Sequence, residues 1–293
     1  MAGKFDTALK RLITNYSQDW LTFCQLPPGE GLTEISSVLT TSTVHPDTVF
    51  EVGGAERYIW YLELQTNYDP TLLDRMREAD ARLRRKFQGV AVESTMILLT
   101  PKANCSRYTG ELPGPGIGGR PRAPFFYEVI RLWELPPAVV LQSGLGLLPL
   151  APATNVSGPE LPNLFRQMDE RFLKECQGSE LASFWASTEV LAGLKFPAEV
   201  VTPLIPRRDQ VRESSTYQAI LQEGREEGRE EGREVGSLEE ARATLLRLGR
   251  KRLGEPTTDT VATIEGLQQT ARLRTLQEKI FDVQTWEELL AEG

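Results

Sequence analysis

Residues 58–66 read YIWYLELQT. Aromatic and branched side chains dominate, and they alternate as a pleated strand requires. Tyr58, Trp60, Leu62 and Leu64 fall on one face, which is wholly apolar and has to be covered. Ile59, Tyr61, Glu63 and Gln65 fall on the other, which starts apolar and turns polar toward its C-terminal end. A carboxylate and an amide together at the end of a buried strand have the character of a site rather than of a solvated edge.

Working outward, Asp47 to Val52 has strand character, and Gly53-Gly54 behind it is a turn signal that would fold the two segments into a hairpin. That pairing would bring Asp47 toward Glu63. Downstream, Asp69-Pro70 offers an N-cap and a proline at the first helical position, opening a helix to about Gln88 that stops at Gly89. Thr95 to Leu99 suits a buried strand, Gly114 to Pro124 is a Gly/Pro-rich loop, and Phe125 to Trp133 is a further strand. Upstream, Phe5, Leu9, Leu12 and Ile13 recur at helical spacing. The expected fold class is therefore α/β to about residue 155.

From Pro159 the pattern turns helical, with Leu161, Leu164, Met168 and Phe172 marking one helix and Leu181 to Leu194 another. EGREEGREEGREVG, residues 223–236, then places Gly224, Gly228, Gly232 and Gly236 at a period of four. Ser237 with Glu240 reads as a capping box for a new helix ending near Gly254. The expected divisions are 1–155, 156–210 as a helical extension, 211–236 as a charged glycine-striped helix or linker, and 237–293 as a small all-α C-terminal domain.

Composition narrows the chemistry. Three cysteines, Cys24, Cys105 and Cys176, lie far apart with no CxxC pair, which argues against a disulfide framework and against zinc. The single histidine, His45, cannot build a histidine-based metal cluster, and it reads as structural or incidental. No Gly-rich phosphate loop or nucleophile elbow is present. The net charge of −8 means that a nucleic-acid partner would have to be met by a local basic surface. No apolar run approaches the roughly 20 residues of a membrane span, and the N-terminus lacks a secretory apolar region, so a cytoplasmic protein with no membrane partner is expected.

Carboxylates at Asp47 and Glu63 would offer oxygen ligands to a hard cation. Mg²⁺ suits one or two carboxylates and fills its remaining positions with water and substrate phosphate, with Mn²⁺ as the alternative. Such an ion polarises a phosphodiester and makes water a better nucleophile without any histidine. Glu51 is the rival carboxylate on the same face as Asp47, and its simpler reading is an exposed side chain.

Pro46-Asp47, fifteen further residues, and then Glu63-Leu64-Gln65 resemble the PD-(D/E)XK nuclease signature in its ExQ form. More narrowly, the chain resembles the bacterial recombination-promoting, transposase-like nuclease family. The segments that carry the likeness are FDTALKRLI (5–13), LELQT (62–66) followed by Asp69 and Arg75, VIRLWELP (129–136) and GLGLLPLAP (144–152). It continues through ESSTYQAILQEGREEGREEGR (213–233), LLRLGRKRLGEP (245–256) and TWEELLA (285–291), and is weaker between about Pro101 and Pro121.

The resemblance implies a restriction-endonuclease-like core and metal-dependent endonucleolytic hydrolysis of DNA in a recombination or mobile-element setting. It implies that Asp47 and Glu63 bind the metal, that Gln65 replaces the usual lysine and positions water or phosphate, and that Asp6 on the first helix stands beside the metal. It also favours Arg75 as a phosphate contact. Arg82 and Arg85, on the basic end of the same helix, are further nucleic-acid-binding candidates, while Asp74, Glu78 and Asp80 offset its first part. The chain departs from the family at two places. Gln65 is neutral, so it cannot serve as a general base, and Ala79 stands where the family commonly has an aromatic residue four positions after the arginine.

Simpler readings run alongside these. Asp6 and Lys10 are spaced for a surface ion pair worth about 0.2–0.5 kcal/mol. The arginines after residue 80 also suit a helix C-terminus on macrodipole grounds. Each of the four glycines costs about 1 kcal/mol relative to alanine within a helix. The stripe is then either a close-approach face for a homo-oligomer or a solvated charged linker. Arg247, Arg250, Lys251 and Arg252 form the densest basic cluster of the C-terminal part. Two rivals to the active enzyme follow: a descendant that binds DNA without cutting it, and a protein whose role is assembly through 223–236.

Overall fold

A computed structural model describes residues 4–29, 31–35, 48–114, 122–176 and 179–291. The chain divides into two compact units, Met1–Leu221 and Gln222–Gly293.

The first unit is α/β. Its order begins with α1 (Lys4–Asn15), α2 (Ser17–Phe23), β1 (Gly31–Glu34), β2 (Thr48–Gly53), β3 (Tyr58–Gln65), α3 (Leu72–Lys86) and β4 (Ala91–Leu98). β5 (Glu111–Gly114), β6 (Arg122–Phe126), β7 (Glu128–Arg131), α4 (Pro137–Leu141) and a 3-10 segment over Leu145–Ala153 follow. α5 (Leu161–Glu175), α6 (Ser179–Ala192), α7 (Ala198–Val201) and α8 (Arg208–Glu213) lead to α9 (Ser215–Leu253).

Five strands form one mixed sheet in the order β1-β2-β3-β4-β7, and β5 pairs with β6 in a separate ribbon. β1, β2 and β3 are an antiparallel meander in which Thr48 lies opposite Leu62 and Glu51 opposite Ile59. β3 and β4 are parallel, with Glu63 opposite Met96 and Gln65 opposite Leu98, and β7 continues the parallel run. The expected hairpin is present: the chain turns between Gly53 and Tyr58 with Gly54 at φ 132°, a conformation that suits glycine.

The alternation along β3 produces the two layers. Tyr58, Trp60 and Leu62, with Phe50, Val52 and Ile97, join one core with Leu9, Leu12 and Ile13 of α1, Trp20 and Leu21 of α2, and Leu147 to Ala151. Leu161, Leu164, Phe165, Met168 and Phe172 of α5 and Phe184, Trp185 and Leu191 of α6 belong to that same core, so the helices after residue 156 cover the same sheet face. On the other face Val49, Ile59, Tyr61, Met96 and Leu98 pack under Leu72, Leu73, Met76, Ala79 and Leu83 of α3.

Several boundaries differ from expectation for identifiable reasons. β4 begins at Ala91 rather than Thr95, because its parallel partner β3 supplies a ladder from Tyr58 onward and holds a segment whose own side chains are mixed. The strand expected over Phe125–Trp133 is split at Tyr127, with β6 pairing to β5 and β7 pairing to β4. Thr71, rather than the expected Asp69, is the N-cap of α3, and Leu72 rather than Pro70 is its first residue; Asp69 accepts from the Thr71 backbone N–H at 2.8 Å in the turn before the helix. Ser237 opens no new helix, since α9 runs through it without interruption.

The second unit takes in the rest of α9 with α10 (Thr258–Gly266), α11 (Thr270–Lys279) and α12 (Trp286–Ala291). Ala241, Leu245, Ile264, Leu273, Leu276, Ile280, Val283, Trp286 and Leu289 form its core. The glycine stripe lies within α9, and among the described residues a Cβ at Gly232 or Gly236 would meet nothing within 4 Å. Among the described residues no helix is long and apolar enough to cross a membrane.

Candidate functional site

β3 ends in a change of environment. Glu63 is completely buried, while Gln65 two residues on is half-buried on the same face. The end of the strand is fixed by its neighbours: Leu99 N–H donates to the Gln65 carbonyl at 2.8 Å, and the Thr100 hydroxyl donates to the Thr66 carbonyl at 2.5 Å. On the opposite face the Trp60 indole N–H reaches the Thr95 hydroxyl at 3.1 Å, which ties β3 to β4 within the core.

The Glu63 carboxylate has a partner on each oxygen. The Tyr61 hydroxyl donates to Oε1, and the Gln65 Nε2 donates to Oε2 at 3.2 Å. A buried carboxylate is costly unless donors satisfy it, and Tyr61 and Gln65 each supply one here. Tyr61 was not singled out from sequence as a site residue. The signal was available, because residues i and i+2 of a strand share a face and Tyr61 precedes Glu63 by that interval.

Asp47 and His45 lie outside the described residues, and so does the side chain of Asp6 on α1. Asp47 is bonded to Thr48, whose partner across the ladder is Leu62, the residue before Glu63. Lys10, the suggested ion-pair partner of Asp6, contacts Glu34 Oε1 at 2.8 Å. Glu51, half-buried rather than exposed, pairs with Arg57 across the hairpin at 2.5 Å.

The α3 arginines are differently committed. Arg75 Nη2 meets Asp69 Oδ2 at 3.1 Å, and its buried Nε has no hydrogen-bond partner among the described residues. Burial pushes the Asp69 carboxyl upward, but hydrogen bonds from the Thr71 hydroxyl and backbone, together with Arg75, hold it below the usual carboxylate range. Arg82 pairs with Glu78, Arg77 with Asp74, and Arg84 with the buried Asp80 at 2.7 Å. Arg85 is exposed and makes no ion pair among the described residues. Ala79 is fully buried against the sheet, so a large aromatic side chain there would have to enter the core.

The described donors at the end of β3 are oxygen ligands suited to a hard cation: one carboxylate at Glu63 and the amide carbonyl of Gln65. Among the described residues there is no group of three or more His, Cys, Asp or Glu side chains that could hold a metal ion by itself. No family model, curated protein or solved structure matches the chain.

Proposed function

We propose that the first unit is a metal-dependent DNA endonuclease of the restriction-endonuclease-like type, cleaving phosphodiesters at the C-terminal end of β3. The observation that carries this reading is the fully buried Glu63 carboxylate with Gln65 beside it on the same strand face. The order of α1, an antiparallel β1-β2-β3 meander, α3 and then β4 parallel to β3 supports it, as does the sequence resemblance.

In this proposal Asp47 and Glu63 hold Mg²⁺, with Mn²⁺ as substitute and Asp6 beside them. The ion would supply charge neutralisation at the scissile phosphate and acidification of the attacking water. Tyr61 is a positioning residue whose hydroxyl fixes the Glu63 carboxylate. The Gln65 amide orients water or a phosphate oxygen by hydrogen bonding, and being neutral it carries no proton away. Arg85, exposed and without an ion-pair partner among the described residues, is the α3 arginine most available to the DNA backbone. Arg75 and Arg82 would reach a phosphate only by exchanging Asp69 and Glu78 for it.

Self-association through the glycine stripe belongs to the same reading. The open space at Gly232 and Gly236 leaves room for a second helix to approach closely. Gly228→Leu should then lower the mass seen by light scattering, and an unchanged mass would remove this part of the proposal.

The deciding experiment is cleavage of supercoiled and linear DNA with Mg²⁺ or Mn²⁺, comparing the wild type with Glu63→Gln and Glu63→Ala. Metal-dependent cutting that disappears in both folded variants is the expected result. Equal cutting by the variants would dismiss this site. DNA binding by a folded wild type that cuts nothing would favour a non-catalytic descendant, a reading that the two occupied Glu63 oxygens favour.

A further inference from the structure

A cavity of about 200 Å³ opens between α1, α6 and the first turn of α9, entirely within the first unit. Arg11 and Glu180 both line it, yet no ion pair joins them, and neither forms one with any other described residue. Among the described residues Arg11 is held only by a long contact from Nη1 to the Ser215 carbonyl at 3.5 Å. Glu180 accepts from the Tyr16 hydroxyl on Oε1, and its Oε2 has no partner among the described residues. Opposite charges that share a small cavity without meeting leave space for a molecule carrying the complementary pair.

Two further wall residues point the same way. Ser187 is 2% exposed and Thr216 is 3% exposed, and neither side-chain hydroxyl has a hydrogen-bond partner among the described residues. Both residues line the same cavity as the two charges. Phe184 supplies an apolar wall, held by stacking on Phe172 at 5.0 Å. The volume falls below the roughly 300–1,000 Å³ of pockets that take drug-sized ligands.

We propose that this cavity binds a small zwitterion of free amino-acid size, its carboxylate held by Arg11 with the Ser187 and Thr216 hydroxyls and its ammonium by Glu180. This inference is independent of the nuclease reading, since it uses none of Asp47, Glu63 and Gln65.

The test is isothermal titration of the full chain with each of the twenty L-amino acids. Those that bind are repeated as the carboxamide and as the des-amino acid, and against folded Arg11→Gln and Glu180→Gln variants checked by circular dichroism. The proposal expects at least one amino acid to bind with a Kd tighter than about 1 mM. It expects about tenfold or greater weakening on losing either charge of the ligand or of the protein. It is overturned if no amino acid binds, if the des-amino acid binds as well as its parent, or if the variants bind as the wild type does.

Discussion

The hydroxyl of Tyr61 donates to Oε1 of Glu63 two residues along the same face of β3, and both side chains are buried. Removing that hydroxyl leaves a buried carboxylate short of a donor. Tyr61→Phe should therefore lower stability by about 1–3 kcal/mol in urea denaturation. If cutting is observed in the wild type, its Mg²⁺ dependence should weaken in the variant. A variant as stable as the wild type would show that the contact is idle.

Asp69 holds its carboxylate against burial with donors from Thr71 and Arg75. A carboxyl whose folded value is depressed adds stability at pH above its unfolded value and loses it as pH falls through the folded one. The difference in unfolding free energy between wild type and Asp69→Asn should be largest near neutrality and shrink in acid. A difference that stays constant down to strongly acidic pH would count against this account.

Gly146 lies against α1 and α2. Its N–H donates to Asp19 Oδ2 at 2.9 Å, and a methyl group at this position would overlap Cβ of Tyr16. Because that clash involves atoms close to two backbones, relief requires the segment to shift. Gly146→Ala should cost about 1–3 kcal/mol. The same change at Gly232, where no described residue would lie within 4 Å of the added methyl, should stabilise α9 by up to about 1 kcal/mol in a monomer. Thermal unfolding of the two variants should move in opposite directions.

The three thiols should separate by reactivity. Burial pushes Cys24 up to about 12 and Cys176 up to about 11, with nearby carboxylates adding to both, and both side chains are buried. Cys105 is partly accessible. Thiolate is the reacting form, so under native conditions a chromogenic disulfide should titrate Cys105 first and the other two only on unfolding. Rapid loss of Cys24 in folded protein would contradict its placement.

Much of the architecture was legible because it is written in short-range periodicity. The two faces of β3 separate by simple alternation, and Leu161, Leu164, Met168 and Phe172 mark the buried stripe of α5 at helical spacing. What stayed illegible depends on partners distant in sequence. The extension of β4 back to Ala91 needs β3 beside it, and the break at Tyr127 exists because β6 and β7 serve different sheets. The capping-box residues at Ser237 and Glu240 are correctly spaced, yet the helix continues past them. At the site, Glu63 and Gln65 could be placed on one face, whereas the engagement of Arg75 with Asp69 and of Arg82 with Glu78 required the folded neighbours.

The apolar layer shared by β3, α1, α5 and α6 bears on how the gene could be cut. A polypeptide ended just after Ala153 would leave Trp60, Leu62, Leu9 and Trp20 without the side chains of Leu164, Phe172 and Trp185 over them. Exposed surface of that kind promotes clumping rather than mere loosening. The sheet and the helices that follow it should accordingly be inherited, transplanted or secured against proteolysis as one indivisible piece.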